Sequence, residues 1–176
     1  MKYKMIVLDL DGTLLNDEKT ISDKNAYILE ELHKQGIHIV IATGRNYYMA
    51  RILIDRIKTT EPVILANNGA VVRRYINDEF IESNYLDFSI FEKIYELGIK
   101  QNLNPVIHVD EYHQGYDLIY ECEDYEKAYL GYIKKDYGRA RNTKFQKEAI
   151  SNILSVCYFN EYEKLLKFKK EIEKIP

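Results

Sequence analysis

Unbroken apolar runs, rather than alternating ones, punctuate the amino-terminal part of the chain. Met5-Ile6-Val7-Leu8 is the first, Ile37-His38-Ile39-Val40-Ile41-Ala42 the second, and Pro62 to Ala66 the third. Runs of this kind predict strands buried on both faces, as in a parallel sheet. Between them the period changes. Ser22-Asp23 offers an N-cap, Ala26, Leu29 and Leu32 recur at helical spacing, and Gly36 supplies a left-handed stop. Arg45 to Lys58, with Leu53, Ile54 and Ile57, predicts a second helix. Strand, helix, strand, helix, strand is the order of a doubly wound α/β sheet, whose reactive groups gather at the carboxyl ends of its strands.

After Asn67-Asn68-Gly69 the rhythm changes. Ala70 to Tyr75, a turn around Asn77-Asp78, and Phe80 to Glu82 predict an antiparallel hairpin. Helical stretches follow near Phe88 to Lys100, Tyr125 to Lys134 and Glu161 to Lys174. They alternate with strands near Val106 to Val109, Tyr116 to Tyr120 and Leu154 to Phe159. The pattern predicts two domains: residues 1–69 as a parallel α/β unit and residues 70–176 as an α+β unit.

Composition narrows the function classes. Hydrophobic residues at 46%, with 8 Gly and 3 Pro, describe a globular chain that can bury a core. A formal net charge of -3 gives no broad attraction to nucleic acid or anionic lipid. The first apolar run ends at Asp9, far short of a signal-peptide core or a membrane span, so the expected location is the cytoplasm. Cys122 and Cys157 are too few for a metal cluster or a disulfide framework, and Cys157 lies in an apolar run as a small core residue would.

The chemistry concentrates at two strand ends. Asp9-Leu10-Asp11-Gly12-Thr13 sets two carboxylates, one residue apart, directly after the first strand. Residues two apart in extended chain point the same way, so Asp9 and Asp11 can serve one site. Two close anions need a counter-charge, and magnesium suits them, being held by one or two carboxylates plus phosphate and water. Gly12 lets the backbone turn sharply. At the end of the second strand, Thr43-Gly44-Arg45 offers a hydroxyl and the free N–H groups of a helix start, the makings of an anion site.

With Ala66-Asn67-Asn68-Gly69-Ala70 at the third strand end, these motifs resemble the Cof-type haloacid dehalogenase-like hydrolases, from Lys4 onward in order and spacing. The resemblance implies a Rossmann-like parallel sheet with an inserted α+β cap after the third strand. It also implies magnesium-dependent hydrolysis of small phosphorylated metabolites, such as sugar phosphates or phosphorylated cofactors. Asp9 would be the nucleophile and form an aspartyl-phosphate, and Asp11 the general acid and base. Thr43 and the amides of Leu10 and Gly44 would hold the phosphoryl oxygens. Magnesium would be held by the Asp9 carboxylate and the Asp11 carbonyl. Arg45 and Asn68 match the pattern without a defined role. A non-catalytic protein that binds only metal or phosphate, a split half, and a phosphotransferase such as a sugar phosphomutase are the alternatives.

The family's later motifs, a lysine and further acidic residues beyond the cap, have no counterpart before Pro176. The expectation is a chain incomplete in both core and cap, with the first strand left as an apolar edge. Such an edge invites self-association or pairing, and little or no phosphatase activity is expected of these 176 residues alone. Tyr112, Tyr116, Tyr120, Tyr125, Tyr129 and Tyr132 predict aromatic packing in the cap. Lys134, Lys135, Arg139, Arg141, Lys144 and Lys147 predict a solvated basic face, and His108, Asp110 and His113 lie where a cap can meet substrate or in an exposed loop.

Overall fold

In the computed structural model the three apolar runs form parallel strands, β1 (Met5–Leu8), β2 (His38–Ala42) and β3 (Val63–Ala66). The structure describes residues 3–121, 131–133, 138–145 and 150–175. Strands β4 (Val71–Arg74) and β5 (Phe80–Ser83) form the expected hairpin. β4 pairs antiparallel with β3, so the sheet runs β1-β2-β3-β4-β5. That pairing carries the hairpin into the first compact unit, Met1–Asn84, and the second unit is Tyr85–Pro176. The pattern change at Gly69 therefore marks a switch of strand direction within one sheet. The break between compact units comes at Asn84.

Helix α1 (Asp23–Lys34) starts and stops as its sequence predicts. The Ser22 hydroxyl accepts the Asn25 N–H at 3.2 Å. At the other end Gly36 takes φ 83°, its N–H reaches the His33 carbonyl, and the Ile37 N–H reaches that of Leu32. These paired bonds close a Schellman cap, which the left-handed glycine makes possible. The second helix is shorter than expected. The Asn46 carboxamide accepts the Met49 N–H at 2.8 Å, so α2 spans Tyr47–Leu53, and a separate tight turn covers Asp55–Thr60.

β2 is buried along its middle, as an unbroken apolar run requires. β1 is not. Among the described residues it pairs with β2 alone, and although Ile6 and Leu8 line an apolar groove with Leu14, Ile28, Leu29 and Leu32, Met5 and Val7 are 54% and 55% exposed. β1 takes the edge position expected of it, while the burial expected on both faces fails, because helix α1 packs over Ile6 and Leu8 and the face carrying Met5 and Val7 is left uncovered among the described residues.

The second unit holds a four-stranded sheet in the order β8-β7-β6-β9. Its strands are β6 (Pro105–Val109), β7 (Leu118–Tyr120), β8 (Ala140–Asn142) and β9 (Ile153–Tyr158). Helices α3 (Phe88–Lys100) and α4 (Tyr162–Ile172) pack against each other. Phe91, Tyr95, Ile107, Val109, Ile119 and Phe145 build one core cluster, with Phe145 edge-on to both other rings. Tyr120 is buried and Tyr116 and Tyr132 pack against core clusters, as the tyrosine spacing predicts. Cys122, Tyr125, Tyr129, Lys134, Lys135 and Lys147 lie outside the described residues.

The basic cluster is not uniformly a solvated face. Arg139 is ion-paired with buried Asp117, donates to the Tyr112 carbonyl at 2.6 Å and stacks on the Tyr112 ring. His108 is no loop residue. It is buried on β6, with Nε2 2.6 Å from the Tyr132 hydroxyl, and burial pulls its pKa down to about 4. Asp110 accepts from the Tyr85 hydroxyl at 2.7 Å. Cys157 is a free, partly buried thiol whose pKa burial pushes up. Among the described residues no helix is long and apolar enough to cross a membrane.

Candidate active site

Parallel pairing sets the carboxyl ends of β1, β2 and β3 side by side, and the backbone stitches the last two together. The Thr43 N–H donates to the Leu65 carbonyl at 2.9 Å. The Asn68 N–H donates to the Thr43 carbonyl at 3.0 Å, and the Asn67 N–H to the Arg45 carbonyl at 2.9 Å. A pocket of about 330 Å³ opens there, lined by Asp9, Ala42, Thr43, Gly44, Leu65, Asn68 and Gly69. Three residues expected from sequence, Asp9, Thr43 and Gly44, thus meet in one concavity.

Asp9 sits where β1 gives way to a wide turn, closed by Leu14 N–H to Asp9 carbonyl at 3.2 Å and Leu15 N–H to Leu10 carbonyl at 2.9 Å. Gly12 takes φ 75° inside that turn, which a glycine adopts without strain. The Asp9 carboxylate is approached among the described residues by the Thr13 hydroxyl alone, at 3.4 Å from Oδ2. Thr43, 6% exposed, accepts the Arg45 N–H at 3.2 Å and keeps its own hydroxyl proton to donate. The helix start is not part of this cradle. Asn46 caps α2 with its own side chain, and the Thr43 N–H is taken by the Leu65 carbonyl, so the donors left at this strand end are the Thr43 hydroxyl and the Gly44 N–H.

Leu10 and Asp11 do not line the pocket. The Leu10 side chain is fully buried beneath the turn. Asp11 faces a pair of cations instead. Arg45 Nε lies 2.6 Å from Oδ2 and Nη2 2.8 Å from Oδ1, a bidentate fork, and Lys19 Nζ lies 3.0 Å from Oδ1. The Arg45 hydrogen bonds, and then Lys19, hold the Asp11 carboxyl well below the usual carboxylate range. Lys19 reaches Asp11 because Leu15 and Ile21 pair across a short hairpin whose turn bonds Asn16 to Lys19 and Thr20, with Lys19 at φ 58°. The one trace of it in sequence is the asparagine-led polar stretch after Leu15.

A family model described as haloacid dehalogenase-like hydrolase matches residues 6–176. The chain belongs to the haloacid dehalogenase-like hydrolases. Two relatives from Bacillus subtilis, the 5-amino-6-(5-phospho-D-ribitylamino)uracil phosphatases YcsE and YitU, are 35% and 30% identical over 101 and 107 residues, 57% and 60% of this chain. The matched segments cover 40% and 39% of those relatives. A haloacid dehalogenase-like hydrolase from Bacteroides thetaiotaomicron superposes with TM-score 0.80 and 25% identity. It matches 97% of this chain, which covers 63% of that one. A crystal structure from Thermotoga maritima at 22% identity and TM-score 0.79 shares the fold.

In this haloacid dehalogenase-like hydrolase the donors available to a divalent cation are sparse. No group of three or more His, Cys, Asp or Glu residues is placed to hold a metal ion among the described residues. The open Asp9 carboxylate still fits magnesium, which takes one or two protein oxygens and fills the rest of its shell with water and phosphate. The Asp11 carboxylate is occupied by Arg45 and Lys19, so that residue's backbone carbonyl is the oxygen with which it would hold the ion.

Proposed function

We propose that this hydrolase acts in the cytoplasm as a magnesium-dependent phosphatase of small phosphorylated metabolites, through a phosphoryl group carried on Asp9. The observation that carries the reading is the open Asp9 carboxylate in a pocket shared with Thr43 and Gly44. Asp9 attacks phosphorus, the bond to the leaving oxygen breaks, and that oxygen takes a proton from Asp11. Water then attacks the aspartyl-phosphate and gives its proton to Asp11, releasing phosphate and free Asp9. The Thr43 hydroxyl and the amides of Leu10 and Gly44 hold the phosphoryl oxygens throughout. Magnesium, held by Asp9 and the Asp11 carbonyl, would supply charge neutralisation at the phosphoryl group.

Asp11 held ionised by Arg45 is ready for the second half of this cycle, in which it accepts a proton. For the first half it has to leave the Arg45 fork before it can carry one. The names of the Bacillus subtilis relatives support a phosphomonoester on a polyol chain as substrate. The test is phosphate release from 5-amino-6-(5-phospho-D-ribitylamino)uracil and from sugar phosphates, with and without magnesium. Little release is expected of these 176 residues alone, and what there is should need magnesium and disappear in Asp9→Asn. Release that survives that substitution overturns the reading.

A further inference from the structure

We infer that Asn68 is a ligand-binding residue of the pocket, its carboxamide donating a hydrogen bond to an oxygen of the bound phosphoryl group. The inference rests on the reading of the pocket as a phosphoryl site. Asn68 lines the same pocket as Asp9, Thr43 and Gly44, and its side chain is exposed to it. Among the described residues nothing hydrogen-bonds that carboxamide, so both donor protons are available to a ligand.

The backbone beneath it is fixed, with Asn68 N–H on the Thr43 carbonyl and Asn67 N–H on that of Arg45. It is also strained. Asn67, Asn68 and Gly69 all take left-handed φ values, 49°, 57° and 87°. Left-handed backbone is unfavourable for an ordinary L-residue, and asparagine is among the few that visit it. Strain of this kind, held by surrounding bonds, is found where a site must aim a side chain.

Gly44 completes the geometry. A Cβ built on Gly44 would sit 3.0 Å from Asn68 Oδ1, so the carboxamide lies against the glycine and would have to shift to make room for a side chain there. The second strand end therefore makes room for the side chain that the third strand end presents. An anion held by the Thr43 hydroxyl and the Gly44 N–H would share the concavity that Asn68 lines.

The test uses inorganic phosphate with magnesium as the probe, followed by 1H-15N NMR on the whole chain. The Asn68 side-chain NH2 pair is assigned by its loss in Asn68→Asp. Phosphate is expected to shift this pair saturably, with the same midpoint as the Gly44 backbone amide. Asn68→Gly keeps the left-handed backbone without strain and removes the carboxamide, and it should weaken phosphate about tenfold while leaving the fold's spectrum unchanged. Asn68→Asp, which puts an anion in place of the donor, should weaken it further. Gly44→Ala, which displaces Asn68 without altering it, should also weaken phosphate. Shifts at Gly44 with no shift at Asn68, or undiminished affinity in Asn68→Gly, overturn this inference alone. No shift at Gly44, Thr43 or Asn68 overturns it together with the phosphoryl-site reading.

Discussion

Replacing Arg45 by methionine removes the guanidinium from Asp11 and keeps a side chain of similar reach. The lost contacts are charge-assisted hydrogen bonds at 2.6 and 2.8 Å in a bidentate arrangement, among the stronger polar contacts a protein makes. The Asp11 side chain is 40% exposed, however, so water screens the pair and the loss comes to about 0.5–1 kcal/mol. Arg45 is the largest cause of the depression and Lys19 stays at 3.0 Å, so the Asp11 pKa should rise toward the ordinary carboxylate range without reaching it. The sign follows from linkage. Arg45 depresses the folded-state pKa, so the stability it contributes is present above the unfolded carboxyl pKa of about 3.9 and is lost as pH falls through the folded value. The variant should be less stable than the parent at pH 7, and the gap should close toward pH 2. Carbon-detected NMR titration of the Asp11 carboxyl and urea unfolding at several pH values read both effects. An Asp11 midpoint that does not move, or a stability gap that widens in acid, would refute the reasoning.

Phe91→Ala should cost the second unit about 3–5 kcal/mol, because Phe91 is buried against Phe145 and Tyr95; thermal unfolding that barely changes would contradict that core. Gly98→Ala brings a Cβ within 2.9 Å of Tyr158 and 3.0 Å of the Leu103 carbonyl. The clash outweighs alanine's better helix propensity, giving a net loss of about 1–2 kcal/mol by urea unfolding, whereas a stabilised variant would mean helix α3 stands farther from β9. Val7→Lys places a charge on the exposed face of edge strand β1. The apolar edge predicts concentration-dependent association in sedimentation velocity, which this substitution should reduce with stability changed by less than about 0.5 kcal/mol; a parent chain that does not associate, or association unchanged by the substitution, would exclude β1 as a pairing surface.

The convergence of Asp9, Thr43, Gly44 and Asn68 was legible because three parallel strands in sequential order deliver their carboxyl ends to one rim, so motifs at those ends must meet. Neighbour relations were not. The apolar run of β1 predicts a strand buried on both faces, whereas its edge position is expected from the family's strand order, because periodicity alone carries no information about which strands and helices flank a run. The hairpin after Gly69 was read correctly as a hairpin and assigned to the wrong unit, because hydrogen bonding to β3 leaves no periodic trace. Strand β8, Ala140-Arg141-Asn142, is too short and too polar to register. The Arg45 and Lys19 contacts to Asp11 depend on a hairpin turn and on a separation of 34 residues. Arg139 could not be distinguished from its basic neighbours until Asp117 was found beneath it.

The central claim is that Asp9 takes the phosphoryl group. Incubating the protein with magnesium and a phosphomonoester, quenching in acid, reducing with borohydride and mapping by mass spectrometry tests it directly, since an acyl phosphate is reduced where a free carboxylate is not. The account predicts conversion of Asp9 to homoserine, dependent on substrate and absent at Asp11. Phosphate release with no modification at Asp9, or modification at another carboxylate, would contradict it.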